Sequence, residues 1–194
     1  MKIENYLSKF SKKAIQLVGP TPTSIMDFPG PCLYIDGGAK QRKSAKGFSL
    51  GDNDSFSGQL DHVLPTKKDF SDLSYALSHC HNFQELYLYG FLGKRRDHEL
   101  INFGEVHHFL GEQTRCKVMF ENEVIALSAG QWDFNFDQRF SLFCFKKTLI
   151  SLSGEVEYSL DQEHLKPYSS HGLSNHARGK FSLNCHRPCF IFLT

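Results

Sequence analysis

The chain has 194 residues, 40% of them hydrophobic and 22% charged, with a formal net charge of +1. That length suits one large domain or two small ones, and that balance supports a buried core and excludes wholesale disorder. The densest basic stretch is only Lys40, Arg42, Lys43 and Lys46, which reads as a solvated face, so the basic footprint of a nucleic-acid binder is missing.

The first residues, Met1 to Lys13, are mixed polar and lack the hydrophobic run of a secretory signal. No segment approaches the ~20 apolar residues of a membrane span, so a cytoplasmic protein with no membrane partner is expected. Short apolar runs follow at Ala14 to Val18, Cys32 to Ile35, Phe48 to Leu50 and Leu86 to Tyr89, each ending in Gly or Asp. Buried strands of that kind suit a parallel sheet with loops gathered at the strand C-termini. Asp69 to His81 and Asp97 to Leu110 carry apolar residues at helical spacing, with Asp69 and Asp97 as candidate N-caps. Strand alternating with helix is the α/β signature.

After about residue 113 the pattern changes. Cys116 to Phe120, Val124 to Leu127, Phe140 to Phe145, Leu149 to Leu152, Val156 to Leu160, Lys180 to Leu183 and Phe190 to Leu193 read as short strands separated by turn-like dipeptides. Regular short strands without a helical stretch predict an all-β sandwich or barrel, and the 18 Phe residues favour strands as well. The predicted domains are therefore an α/β domain over 1–112 and an all-β domain over 113–194. Six cysteines are scattered without a secretory context, so free thiols are expected. Cys185, His186 and Cys189 lack the second knuckle of a structural zinc site, which favours buried thiols in strands.

Four segments of the first domain carry acidic residues: Asp36-Gly37-Gly38, Gly51-Asp52-Asn53-Asp54-Ser55, Asp69-Phe70-Ser71-Asp72 and Gly93-Lys94-Arg95-Arg96-Asp97-His98. Each alone has an ordinary explanation as a turn or a cap. Most follow a predicted strand or open a predicted helix, which puts them on one edge of the sheet. Carboxylates converging there repel unless a cation neutralises them, and hard oxygen ligands select Mg²⁺. Arg95, with Lys94 beside it, supplies positive charge for phosphate oxygens. Carboxylates, a metal and an Arg are the equipment of phosphoryl transfer, in which a protein mainly positions groups and neutralises charge. The residues alone thus point to a metal-dependent enzyme of phosphate compounds.

These segments, in this order, resemble the thiamine pyrophosphokinase family. Its Asp-Gly-Gly-Ala is matched by Asp36 to Ala39, its Gly-Asp-x-Asp-Ser by Gly51 to Ser55, and its Asp-x-Thr-Asp by Asp69 to Asp72 with Ser71 in the Thr place. Gly93 to His98 with Asn102 resembles its Gly-Gly-Arg-x-Asp-His, Lys94 replacing the second Gly. In the second half Phe140-Ser141-Leu142, Gly154 to Leu160 and Gly172-Leu173-Ser174-Asn175 resemble further motifs. The resemblance implies a Rossmann-like α/β domain with a mostly parallel sheet that binds ATP and Mg²⁺, a C-terminal β-sandwich, and a homodimer with thiamine between domains. It implies Mg²⁺-dependent pyrophosphoryl transfer from ATP to the thiamine hydroxyl, releasing AMP. On the same footing it implies metal and phosphate geometry from Asp52, Asp54, Asp72 and Asp97, and charge stabilisation by Arg95. Nucleotide contacts would come from Asp36, Gly37, Gly38, Lys94, Arg95, His98 and Asn102, and thiamine contacts from Ser174 and Asn175. Two alternatives stay open: another acceptor alcohol such as a pterin, and an inactive thiamine- or nucleotide-binding relative.

Overall fold

The structure is a computed structural model that describes residues 2–42, 47–54, 56–93 and 95–194. The chain divides into two compact units, Met1–Phe109 and Leu110–Thr194.

In the first unit a short helix, α1 (Ile3–Leu7), precedes strands β1 (Ala14–Val18), β2 (Cys32–Ile35), β3 (Phe48–Gly51) and β4 (His62–Val63). Helix α2 (Asp72–Ser78), strand β5 (Glu85–Tyr89) and helix α3 (Arg96–Gly111) follow. The strands lie in the order β5-β1-β2-β3-β4, every adjacent pair parallel. Ile15, Leu17, Leu33, Phe48, Leu50, Leu86 and Leu88 are fully buried, as expected of strands covered on both faces.

Two helix limits differ from the sequence reading. Helix α2 begins at Asp72, not Asp69, because Ser71 is its N-cap and accepts the Ser74 N–H at 2.9 Å. Asp97 lies inside the first turn of α3, so it complements the helix dipole instead of capping.

The second unit runs β6 (Lys117–Phe120), β7 (Val124–Leu127), β8 (Gly130–Phe143), β9 (Thr148–Val156), β10 (Leu160–Leu165), β11 (Asn175–Cys185) and β12 (Cys189–Leu193). Their order is β10-β9-β11-β8-β12-β7-β6, antiparallel throughout. Strand β8 is shared along its length: residues 130–140 pair with β11 and residues 140–143 with β12. A flat sheet would hold β10 and β8 about 14 Å apart. Instead the Cys144 thiol, just past β8, donates to the Leu165 carbonyl of β10 at 3.5 Å, so the sheet curls around its own core. One buried cluster there includes Trp132, Phe140, Leu152, Leu165, Phe181 and Ile191. Phe181 stacks on Phe134 at 5.1 Å and on Phe140 at 5.4 Å, which accounts for part of the Phe richness.

The strand expected from Phe140 begins ten residues earlier, at Gly130. Alternation of Trp132, Phe134 and Phe136 with Asp133, Asn135 and Asp137 gives a period of two, one face inward. Conversely, residues 157–159, expected in a strand, form the turn between β9 and β10. All six cysteines are free and buried, and burial pushes the Cys185 thiol up to about 11, far from the thiolate that zinc requires. No helix of the described residues is long and apolar enough to cross a membrane.

Candidate active site

The first unit opens a cleft of about 580 Å³ beyond the carboxyl ends of its strands. Asp36 follows β2 and opens a 3-10 turn over Asp36–Gln41, with a left-handed φ of 51°. Such a conformation is uncommon for a residue with a side chain, though Asp tolerates it better than most. Gly38 fits this turn against β1: a Cβ there would lie 2.1 Å from the Val18 carbonyl oxygen. At the end of β3, Gly51 has φ 156°, and a Cβ would lie 2.9 Å from Asp36 Cα. That close approach brings Asp52 and Asp54 beside Asp36. Oxygens of Asp36, Asp52 and Asp54 all lie within 4.8 Å of one another. The Asp54 N–H donates to Asp52 Oδ1 at 3.3 Å.

The register of β3 is fixed behind the cluster. Asp61 accepts from Arg42 Nη1 at 2.7 Å, the Ser49 N–H at 2.9 Å and the Ser49 hydroxyl at 3.0 Å. Burial pushes the Asp61 carboxyl up, but the hydrogen bonds from Ser49 and Arg42 outweigh it and hold it below the ordinary range.

Helix α2 brings a fourth carboxylate. Lys68 lies between Asp52 and Asp72, its Nζ 2.8 Å from Asp52 Oδ2 and 3.1 Å from Asp72 Oδ1, with its side chain only 8% exposed. Asp72 Oδ1 is buried without a well-directed hydrogen bond. Burial raises the Asp72 carboxyl, Lys68 opposes this, and the charges of Asp52 and Asp54 add to it. The Asp52 carboxyl is lowered, first by the hydrogen bond from Lys68, against the opposing effect of burial. Behind α2, the Ser71 hydroxyl donates to Glu105 Oε2 at 2.7 Å, tying the helix start to α3. From the start of α3 and the loop before it, Arg95, His98 and Asn102 also line the cleft. Asn102 is oriented by donating to the Phe91 carbonyl at 2.9 Å.

No protein-family model matches the sequence, and no curated protein matches it either. Solved structures do match. Thiamine pyrophosphokinase from Bacillus subtilis superposes with a TM-score of 0.75 at 21% identity, over 94% of this chain and 99% of that one. The fold is that of the thiamine pyrophosphokinases. Thiamin pyrophosphokinase from Geobacillus thermodenitrificans gives 0.74 at 18% identity, over 93% and 97% of the two chains. Thiamin pyrophosphokinase from Candida albicans gives 0.73 at 12% identity, over 97% and 90%.

Within this thiamine pyrophosphokinase fold the residues singled out from sequence fall into two sets. Asp36, Asp52, Asp54, Asp72, Arg95, His98 and Asn102 line one cleft. Asp97 does not: its exposed carboxylate accepts from Arg95 at 2.6 and 3.1 Å, a pairing that holds it down to about 2. Asp36, expected among the nucleotide contacts, lines that cleft and also sits in the carboxylate triplet. Gly37 and Gly38 are buried in the 3-10 turn and serve its packing. Lys94 lies outside the described residues. Ser174 and Asn175 belong to the second unit. The Asn175 side chain clamps the Tyr158 backbone, accepting its N–H at 3.1 Å and donating to its carbonyl at 2.6 Å, and it also accepts the His176 N–H. One amide hydrogen is then left for any ligand.

Lys68 is the site residue that the motif reading overlooks. In Thr66-Lys67-Lys68-Asp69 it reads as a solvated charge. The available signal is its position four residues before Asp72, which lets the two side chains meet.

Proposed function

We propose that the chain is a thiamine pyrophosphokinase, moving the pyrophosphoryl group of ATP onto the thiamine hydroxyl to give thiamine diphosphate and AMP. One observation carries the reading: the carboxylate triplet, with oxygens within 4.8 Å of one another, faces a cleft that also holds Asp72, Lys68 and Arg95. The shared fold supports it, since the matched structures are themselves described as thiamine pyrophosphokinases.

The donor set fits Mg²⁺, because the three residues offer only hard, anionic oxygens. Asp36, Asp52 and Asp54 would hold the ion, which when bound neutralises charge on phosphate oxygens. The chain's own groups do the remainder. Lys68 holds Asp52 and Asp72 in place. Asp72 lines the cleft, where its carboxylate is suited to accept the hydrogen bond of the attacking hydroxyl. Arg95 is exposed enough to leave Asp97 and meet the triphosphate, where a guanidinium forks two oxygens at once. A Rossmann-like nucleotide half, a β-sandwich half and a cytoplasmic homodimer whose second copy helps to enclose thiamine belong to the same proposal.

The test is direct. Purified protein with ATP, Mg²⁺ and thiamine should yield AMP and thiamine diphosphate in equal amounts, read by chromatography. AMP formed with a pterin alcohol and not with thiamine would reassign the acceptor. No AMP from folded, metal-loaded protein with either acceptor would overturn the enzyme reading.

A further inference from the structure

Four carboxylates meet in the cleft, and among the described residues a single lysine is wedged between them. The Lys68 ammonium touches one oxygen of Asp52 at 2.8 Å and one of Asp72 at 3.1 Å, and its side chain is 8% exposed. The other Asp52 oxygen receives the Asp54 N–H at 3.3 Å, so both oxygens of Asp52 have a defined direction. Arg95, the other Lys or Arg lining the cleft among the described residues, is 65% exposed and engaged with Asp97, so it neutralises the cluster far less. A nearly buried ammonium is retained only where carboxylates stabilise it, and it stabilises them in turn.

We propose that Lys68 is a positioning residue that acts as a resident monovalent cation. It fixes Asp52 and Asp72, limits the cluster to one divalent ion in the absence of nucleotide, and leaves the cleft open to a polyphosphate. The charge count explains why this matters. With Lys68, one divalent ion leaves the four carboxylates close to neutral. Without it, the cluster binds free divalent ions more tightly and keeps more negative charge facing an anionic nucleotide. The inference rests on the divalent-ion and nucleotide part of the proposed function, and it does not depend on which alcohol accepts the pyrophosphoryl group.

The experiment titrates the full chain with Mn²⁺, without nucleotide, and follows free ion by electron paramagnetic resonance. Lys68→Met removes charge and hydrogen bonds, Lys68→Gln removes the charge and keeps a donor, and Lys68→Arg keeps the charge. Two cations sharing one carboxylate lie within roughly 6 Å, where their repulsion weakens binding about ten-fold even at the dielectric of water. Both neutral variants should therefore bind Mn²⁺ about ten-fold more tightly than wild type, or take up a second ion, while Lys68→Arg stays close to wild type. A neutral variant that still holds one ion should raise KM for Mg-ATP about ten-fold, in the opposite direction to its Mn²⁺ affinity. A merely structural lysine would lower both affinities together. Unchanged, weaker or absent Mn²⁺ binding in a folded neutral variant overturns the proposal. Failure of both neutral variants to fold also overturns it, because Lys68 would then serve the fold. Absence of pyrophosphoryl transfer by the wild-type chain would count against the proposed function and leave the Mn²⁺ result standing.

Discussion

Replacing Asp72 by Asn separates function from stability. Asp72 is 13% exposed, beside Lys68 at 3.1 Å. Losing the charge weakens a charge-assisted contact, which costs about 1.5–3 kcal/mol. Against that, the neutral amide avoids desolvation of a carboxylate and repulsion from Asp52 and Asp54. Repulsion between unit charges about 5 Å apart is ~3 kcal/mol at an effective dielectric of 20. The raised Asp72 carboxyl gives the sign of the balance: the folded chain favours the neutral form. A group with a raised folded pKa contributes most when protonated, and that contribution fades as pH rises through the carboxylate range. Asp72→Asn should therefore match wild type at low pH and exceed it by up to ~1 kcal/mol at neutral pH. Pyrophosphoryl transfer should fall by about 100-fold or more, because a neutral amide cannot take the hydroxyl's proton as a carboxylate can. Urea unfolding at acidic and neutral pH, paired with AMP release, reads both. A loss of more than about 2 kcal/mol at neutral pH would show that Asp72 is a fold residue, and the functional argument would fail.

Other substitutions probe the scaffold and the second unit. Asp61→Ala removes the ion pair of Arg42 and the acceptor of the Ser49 N–H, so it should cost about 2–4 kcal/mol by urea unfolding. Because the Asp61 carboxyl is held low, its contribution is present above the ordinary carboxylate range and lost as pH falls through the folded value; wild type and variant should converge in acid. Gly38→Ala forces a Cβ to 2.1 Å from the Val18 carbonyl and should destabilise by about 3 kcal/mol or more, with the cleft distorted. Asn175→Ala leaves both Tyr158 backbone groups without their clamp and should cost about 2 kcal/mol; an unchanged melt with a raised thiamine KM would show that Asn175 serves the ligand and not the fold.

Much of the site is legible before any coordinates because its residues sit at chain landmarks. Asp36 and Asp52 follow strands and Asp72 opens a helix, and in a parallel sheet such positions share one edge. What the pattern does not reveal is where each side chain finds its partner. Asp97 occupies an equivalent place in the chain, but Arg95 two residues away captures it in solvent. Lys68 looks like surface charge until the turn before α2 folds it back onto Asp52, 16 residues away in sequence. Asn175 sits in a ligand-like motif, yet its amide meets a backbone 17 residues distant, a tertiary contact no local spacing encodes. In the fold, strand positions in the first unit follow from buried apolar runs with Gly or Asp ends. The start of β8 is harder to see because Asp133, Asn135 and Asp137 break the apolar run, and only the period-two alternation marks it.

The most direct measurement of the central claim is anomalous diffraction from crystals grown with Mn²⁺ and a non-hydrolysable ATP analogue. The account predicts a metal peak bounded by the carboxylates of Asp36, Asp52 and Asp54, with the triphosphate reaching it through the cleft. A triphosphate bound elsewhere, or a bound analogue with no metal at those three residues, would contradict it.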